Sequence, residues 1–168
     1  MTDVITDPGK YRRGWRGGLP ETPCGFGSRL SETAIQRAWL PDIIGRYAIT
    51  SVADIGAGDL NWIKAVTLGC EYRAYDLVPR HPSVTEFNLL TDPCPQADLL
   101  LCLWVLNHFP PEMGVLGLNR LRSSGSKFLA MTWDSRLPYL DTDYIEQVQI
   151  RDANPGHHDG IYLRLISC

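Results

Sequence analysis

The sequence lacks any hydrophobic run of membrane-spanning length. A transmembrane helix needs about 20 predominantly apolar residues, and the longest apolar run here, Leu99 to Leu106, is only long enough for a strand. The segment MTDVITDPGK, residues 1–10, has no apolar core of the kind found in secretion signals. We therefore expect a cytoplasmic protein with no membrane partner.

Paired cysteines and an excess of charge are also missing. The five cysteines form no CxxC pair, so a disulfide framework or a zinc knuckle is not expected. His157, His158 and Asp159 have no more distant ligand that can be identified, and we interpret them as a solvated turn, with no metal site predicted.

The net charge of -3 gives no bulk attraction to nucleic acid. What remains is a chain of 168 residues with 44% hydrophobic residues, which suits one domain over residues 1–168.

Short apolar runs alternate with helix-capable segments along most of the chain. Helices are predicted over residues 31–47, with Ser31 as a candidate N-cap and Pro41 as an interruption, and over residues 60–69 and 111–125. Strands are predicted over residues 50–55, 71–77, 83–89, 97–106, 126–133, 144–150 and 161–167. The pattern predicts an α/β fold: a mostly parallel seven-stranded sheet with helices on both faces and a C-terminal antiparallel hairpin.

The segment SVADIGAGDLNW, residues 51–62, places two glycines directly after the first predicted strand. Ligands of open parallel sheets bind beyond the carboxyl ends of the strands. Gly56 and Gly58 allow a sharp turn there and the close approach of a ligand. Two turn glycines in a fold that binds nothing are the alternative, so the glycines alone decide little.

The acidic residues around this turn are more informative. Asp54 lies at the predicted strand end, and Asp59 is predicted near the start of the next helix, where its carboxylate would fill the site that a pyrophosphate takes. Asn61 stands where the third glycine of GxGxxG would be, and Asp76 ends the second strand, where an acid accepts hydrogen bonds from ribose hydroxyls. We therefore predict a cationic adenosyl ligand, S-adenosyl-L-methionine, rather than a dinucleotide.

Several of these motifs resemble those of class I S-adenosylmethionine-dependent methyltransferases. VADIGAGDLNW resembles motif I, YRAYDLV the acidic second motif, ADLLLCLWVLNHF the fourth-strand motif and GSKFLAMTW the fifth strand. GFGSRLSETAIQRAWLPDII and RSSGSKFLAMT are similar, more narrowly, to a group of small bacterial and phage-type methyltransferases. The resemblance covers about residues 25–132. It implies a single Rossmann-like domain and methyl transfer, and it names no acceptor.

The resemblance also implies which residues hold the cofactor. The implied set is Asp54, Gly56, Ala57, Gly58, Asp59, Asp76, Leu77, Asn88, Leu89, Leu103 and Trp104. Asn88 stands where the group typically has an aspartate, and an amide there would hydrogen-bond an adenine edge in a different pattern.

The segment WVLNHFPP, which follows the fourth strand, should border the methyl group. Asn107 and His108 are the candidate catalytic residues. His108 could accept a proton or be a structural histidine bonded to the backbone. Asn107 could position the acceptor or the methionine end of the cofactor. The DPPY and NPPY patterns of nucleobase amine methylation are absent.

The N-terminal residues 1–24 are interpreted as an arm or a lid. Trp15 lies among arginines there, as in segments that stack bases and grip phosphate, and a solvated tail is the alternative. The resemblance favours a lid in which Phe26, Ser28 and Arg29 lie near the methionine carboxylate, and Trp133 after the fifth strand is predicted to face the substrate.

Three functions are consistent with these features. The leading hypothesis is a methyltransferase acting on a small-molecule or polymer-borne oxygen or nitrogen atom. The alternatives are a protein that modifies or binds nucleic acid through the arm, and a non-catalytic domain that binds S-adenosylmethionine. The oligomeric state is not predicted.

Overall fold

The structure, a computed structural model, describes residues 20–135, 137–151 and 160–168. Trp15, most of the predicted arm over residues 1–24, and the turn with His157, His158 and Asp159 lie outside the described residues. The hypothesis of nucleic-acid binding through the arm therefore stays a prediction from the sequence.

Seven strands form one sheet in the order β3-β2-β1-β4-β5-β7-β6. The strands are β1 (Ser51–Ile55), β2 (Glu71–Asp76), β3 (Val84–Glu86), β4 (Leu99–Cys102), β5 (Phe128–Asp134), β6 (Glu146–Arg151) and β7 (Ile161–Ser167). β1 to β5 are parallel to one another, whereas β7 pairs antiparallel with both β5 and β6. The predicted parallel sheet with a C-terminal antiparallel hairpin is confirmed.

In the described part of the chain, two α-helices cover opposite faces of this sheet. Helix α1 (Ala34–Arg46) packs Leu40 and Ile43 into a core cluster with Val52 of β1. Helix α2 (Pro111–Arg122) packs Leu121 into a second cluster with residues of alternate strand positions, which point to the other face. No helix in the described part of the chain has the length and hydrophobicity needed to cross a bilayer.

The glycines of α2 bring the helix close to the edge of the sheet that carries the site. A Cβ on Gly117 would lie 3.1 Å from Leu106 Cδ2 and 3.2 Å from Leu89 Cδ2. Gly117 therefore lets α2 pack tightly against the loops after β3 and β4, and so fixes those loops.

Two local predictions are wrong. Ser31 is not the N-cap, since α1 begins after Thr33, whose hydroxyl donates instead to the Arg29 carbonyl oxygen. The helix predicted over residues 60–69 is reduced to a 3-10 turn at Ile63–Ala65. Leu60 has a left-handed φ of 62°, which interrupts a right-handed helix at its start.

Candidate functional site

A cavity of about 660 Å³ lies at the carboxyl edge of the parallel strands. The loops after β1, β2, β3 and β4 form its wall together with residues 24–29. Fifteen of the predicted site residues lie on this wall: Phe26, Ser28, Arg29, Asp54, Gly56, Ala57, Gly58, Asp76, Leu77, Asn88, Leu89, Leu103, Trp104, Asn107 and His108. Asp59 and Trp133 do not. Most of the residues predicted from the sequence therefore lie on the wall of one cavity. Their roles there stay predictions.

The two glycines after β1 are required by their own packing. Gly56 has φ 85°, and a Cβ there would lie 2.2 Å from Val105 Cγ2. Gly58 has φ 60°, and a Cβ there would lie 2.8 Å from Cys24 Sγ. The sequence argument left this space for a ligand. In the structure, protein side chains approach the turn at both positions, so the glycines are needed before any ligand arrives.

Asp76 holds the glycine turn against β2. Its Oδ2 accepts the N–H of Gly58 at 2.9 Å, and its Oδ1 accepts the N–H of Val78 at 2.9 Å. Burial raises the pKa of this carboxyl, and the two backbone hydrogen bonds oppose that rise. Each carboxylate oxygen keeps a further lone pair, so Asp76 can accept from ligand hydroxyls while it fixes the turn.

Asp54 is the most deeply buried acid on the cavity wall. Its side chain is 4% exposed, and Oδ2 accepts a hydrogen bond from the Tyr72 hydroxyl at 2.6 Å. Burial raises the pKa of Asp54 to about 7, and the negative charge of Asp76 acts in the same direction. A cation placed in the cavity would therefore favour the ionised form of Asp54.

Asp59 has different surroundings from the predicted ones. It lies off the cavity wall, and its Oδ1 accepts the N–H of Asn61 at 3.2 Å, as in an Asx turn. Residues 56–70, all of which the structure describes, contain no α-helix, so Asp59 fills no helix N-terminus. A pyrophosphate is still disfavoured, but for a different reason: no helix N-terminus follows β1 in residues 56–70 to bind one.

Asn61 is a site residue that the sequence analysis treated only as a missing glycine. Its Nδ2 donates to Glu21 Oε1 at 2.8 Å and to the Ser28 carbonyl oxygen at 2.9 Å. It thereby ties residues 21–29, which we call the wall segment, to the glycine turn. Glu21 also accepts the N–H of Leu30 at 2.8 Å. The sequence offered one signal for this contact: the dinucleotide motif has a glycine at this position, so the asparagine needed another explanation.

The loop after β3 is fixed by hydrogen bonds from both sides. Asn88 Oδ1 accepts the N–H of Leu90 at 3.0 Å, and the backbone N–H of Asn88 donates to Asp92 Oδ2 at 2.8 Å. Arg120 of α2 donates to the carbonyl oxygens of Leu89, at 2.7 Å, and Asp92. The Asn88 oxygen is thus in use, so the carboxamide NH₂ group is the part of this side chain with which it could read a ligand.

Asn107 and His108 lie on a 3-10 turn, Leu106–His108, directly beyond β4. Leu106 anchors this turn, since it is 2% exposed and belongs to the apolar cluster to which α2 also contributes side chains. The Oδ1 atom of Asn107 is buried and has no hydrogen-bond partner among the described residues. Burial lowers the pKa of His108 to about 4, so its imidazole is neutral at physiological pH.

Three methyltransferases of known structure have a similar fold. The N-methyltransferase NodS from Bradyrhizobium japonicum WM9, in complex with S-adenosyl-L-homocysteine, superposes with a TM-score of 0.63 at 12% identity, over 81% of this chain and 87% of that one. A 1,6-didemethyltoxoflavin-N1-methyltransferase from Burkholderia thailandensis gives 0.60 at 13% identity, over 83% and 79%. Magnesium protoporphyrin IX methyltransferase from Synechocystis PCC 6803, with bound SAM, gives 0.57 at 16% identity, over 83% and 80%.

The chain has the class I methyltransferase fold. At these identities the likeness is one of architecture, which matches the fold that the sequence motifs implied. No protein-family model matches the sequence, and no curated protein matches it.

Within this methyltransferase fold, Trp133 is not where the sequence argument put it. The guanidinium of Arg164 lies 3.6 Å from the centroid of its ring, and the ring of Tyr162, which is also on β7, has its centroid 6.1 Å away. Arg164 is 5% exposed and donates to Asp141 Oδ1 at 2.6 Å. Because β7 is inserted beside β5, Trp133 packs against the hairpin instead of lining the cavity.

Two cysteines at or near this site have thiols whose pKa is raised by burial. Cys24 lies on the cavity wall, but burial raises the pKa of its thiol to about 12, so the reactive thiolate is disfavoured. Cys102 is 1% exposed within β4 and acts as a small apolar side chain. Among the described residues, no group of three His, Cys, Asp or Glu side chains is placed to hold a metal ion.

Proposed function

We propose that this protein transfers a methyl group from S-adenosyl-L-methionine to an acceptor bound in the same cavity. The observation that carries the proposal is the pair of partly or fully buried acids, Asp54 and Asp76, at the ends of adjacent strands beside the cavity. Residues 56–70, which directly follow β1, contain no α-helix whose N-terminus would favour a phosphate. A ligand with cationic groups and a ribose suits these surroundings better than a dinucleotide.

The residues on the wall fit such a ligand. Asp76 would accept from the ribose hydroxyls, and Asp54 would stabilise the ammonium group, because its own charge is poorly compensated by the single Tyr72 hydroxyl. Arg29, whose guanidinium lies 4.6 Å from the centroid of the Phe26 ring, would pair with the carboxylate. Asn88, with Leu77 and Leu89 on the wall, would contact the adenine ring.

The chain would contribute to catalysis mainly by position. S-adenosylmethionine supplies a methyl group on a sulfonium, which is already activated for displacement. Asn107 and His108 border the remaining part of the cavity, where they can orient an acceptor for in-line attack. The wall segment, which Asn61 holds in place, would limit the access of water to the cavity at the wall formed by residues 24–29.

Calorimetry and a methyl-transfer assay test this proposal together. We expect S-adenosylmethionine to bind and NADH not to bind, and we expect labelled methyl groups to enter components of a cell extract. Asp54→Asn should abolish transfer, while Asp42→Asn, an exposed acid on α1, serves as a matched control. Tighter binding of NADH would overturn the choice of cofactor, and binding without any transfer would favour the non-catalytic alternative.

A further inference from the structure

The chain leaves the sheet after β4 through a residue in a left-handed conformation. Trp104 has φ 58°, a region in which residues with a large side chain are rarely found. Such a conformation persists only where the surrounding contacts hold it. Trp104 also lies on the wall of the cavity. The contacts that hold this residue therefore help to shape the cavity.

Thr132 of β5 supplies a contact that holds the backbone of Trp104. The ladder between β4 and β5 ends with the pair Cys102 and Met131. Two residues beyond Cys102, the N–H of Trp104 donates to Thr132 Oγ1 at 2.8 Å. Thr132 is 3% exposed and does not lie on the cavity wall. A side chain outside the cavity thus fixes a residue that lines it.

The loop that begins at Trp104 packs on two other parts of the cavity wall. A Cβ on Gly27 would lie 3.3 Å from Cδ1, Cγ and Nε1 of the indole, so the ring packs directly on the backbone of the wall segment. The next residue, Val105, packs in the same way on Gly56 of the glycine turn. Because Asn61 ties the wall segment to that turn, each of the three segments contacts the other two.

We infer that Thr132 is a positioning residue for the cofactor site, and that it acts through Trp104 to hold the wall segment against the loop after β4. The inference rests on the proposed function, since Arg29 of the wall segment is the residue proposed to pair with the cofactor carboxylate. The Thr132 hydroxyl keeps the indole where Gly27 packs on it. The cavity therefore has its binding shape before the ligand arrives, which lowers the cost of ordering these segments on binding.

Thr132→Val tests this role, because valine has nearly the same shape as threonine and lacks the hydroxyl. We expect the Kd for S-adenosylhomocysteine to rise about three- to tenfold. Amide exchange in residues 24–29 of the ligand-free protein should become faster. Thr132→Ser keeps the hydroxyl and should recover most of both properties. Thr85→Val, at an exposed threonine of β3 off the cavity wall, is the matched control and should change neither.

The pattern of exchange separates positioning from a general loosening of the sheet. Thr132 pairs with Leu163 of β7, so a variant that only loosened the sheet would increase exchange in Ile161–Ser167. We expect faster exchange in residues 24–29, which are distant in sequence, and wild-type exchange in β7. An increase in β7 as large as that in residues 24–29, or an unchanged Kd, would overturn the inference.

A second variant tests the contact at its other end. Gly27 has no left-handed φ, so Gly27→Ala adds a Cβ without straining the backbone, and the nearest atoms it meets are those of the indole. We expect this change alone to weaken S-adenosylhomocysteine binding about three- to tenfold. In the Thr132→Val background it should cost less, because the indole can move aside. Losses that multiply fully in the double variant would contradict a coupling through Trp104.

The affinity of the wild-type protein separates this inference from the proposed function. If wild type binds S-adenosylhomocysteine and both Thr132→Val and Gly27→Ala bind it equally well, the role of Thr132 is overturned and the methyltransferase proposal stands. If wild type does not bind S-adenosylhomocysteine, the proposed function fails, and the role of Thr132 in cofactor binding fails with it.

Discussion

Two aspartates on opposite edges of the same sheet have opposite surroundings. Asp98, just before β4 on the amino edge, accepts from the Thr50 N–H at 2.8 Å and the Thr50 hydroxyl at 2.5 Å, and it pairs with Lys127 Nζ at 2.7 Å. These contacts hold the pKa of Asp98 well below its usual range. Asp54, near the carboxyl edge, has one hydroxyl donor, and burial raises its pKa to about 7.

The difference separates a carboxylate that stabilises the sheet from one that borders the cavity. At the amino edge, the carboxylate of Asp98 joins neighbouring strands through its contacts with Thr50 and Lys127. The carboxyl edge keeps a buried acid and a buried amide oxygen under-satisfied, beside residues with left-handed backbone such as Leu60 and Trp104. Strain and unmet polar groups cluster at functional sites because a ligand can relieve them.

The largest expected effect comes from the glycine turn at the carboxyl edge. Gly56→Ala would place a Cβ 2.2 Å from Val105 Cγ2 at a φ of 85°. We expect a loss of about 2–4 kcal/mol in the free energy of unfolding, measured by chemical denaturation. Gly45→Ala in α1 is the matched control: nothing lies within 4 Å of the added Cβ, so the helix should gain about 0.5–1 kcal/mol. Equal effects at the two glycines would contradict the packing described for the turn.

Next in size is a pair of substitutions with opposite signs. Asp54→Asn removes a buried charge that, among the described residues, accepts a side-chain hydrogen bond from Tyr72 alone, so the ligand-free protein should gain about 1–3 kcal/mol of stability at about pH 8. Asp98→Ala leaves the Thr50 N–H and Lys127 without their partner and should lose about 1–3 kcal/mol. Denaturation of both variants, with S-adenosylhomocysteine titrations beside it, is the measurement. Only Asp54→Asn should weaken ligand binding, and a loss of stability in that variant would refute the comparison.

The raised pKa of Asp54 also predicts a pH dependence. In the folded protein this carboxyl binds a proton up to about pH 7, whereas in the unfolded chain it ionises near its usual value, so the folded state binds more protons between these limits. The stability contributed by Asp54 is therefore present at low pH and lost as the pH rises towards 7. Affinity for a cationic ligand should change in the reverse sense and increase between about pH 5.5 and 7.

Calorimetric titrations across that pH range provide the check. Asp54→Asn should bind weakly and with a flat profile. An unchanged slope in the variant would assign the pH dependence to another group.

The smallest expected effect concerns the wall segment. Asn61→Ala removes two hydrogen bonds, to Glu21 and to the Ser28 carbonyl oxygen. At about 0.5–1.5 kcal/mol each, their loss should weaken S-adenosylhomocysteine binding about two- to tenfold and increase amide exchange in residues 21–29. Asn119→Ala is the control, since its side chain lies exposed on α2. Faster exchange with unchanged affinity would show that the wall segment takes no part in binding.

The sheet was largely predictable because its signals are local. The apolar run from Leu99 onwards, and the short β-branched runs elsewhere, each indicate a buried strand within a few residues. The positions of Asp54 and Asp76 followed, since strand ends in a parallel sheet meet at one edge. Residues after β4, including Asn107, were found for the same reason.

The failures have a common physical cause in contacts between distant segments. The predicted helix after the glycine turn is absent because Leu60 is left-handed and Asn61 is engaged by Glu21, 40 residues away. Trp133 was misplaced because its partner Arg164 comes from β7, whose insertion beside β5 no local pattern reveals. Asp59 was misread as a consequence of the helix that does not form.

A crystal structure with S-adenosylhomocysteine, at a concentration that saturates the protein by calorimetry, tests the central claim most directly. The account predicts the ribose hydroxyls within hydrogen-bond distance of Asp76 and the ammonium group on the side of Asp54. Density for the ligand outside this cavity, or an adenosyl group turned so that its ribose lies away from Asp76, would contradict it.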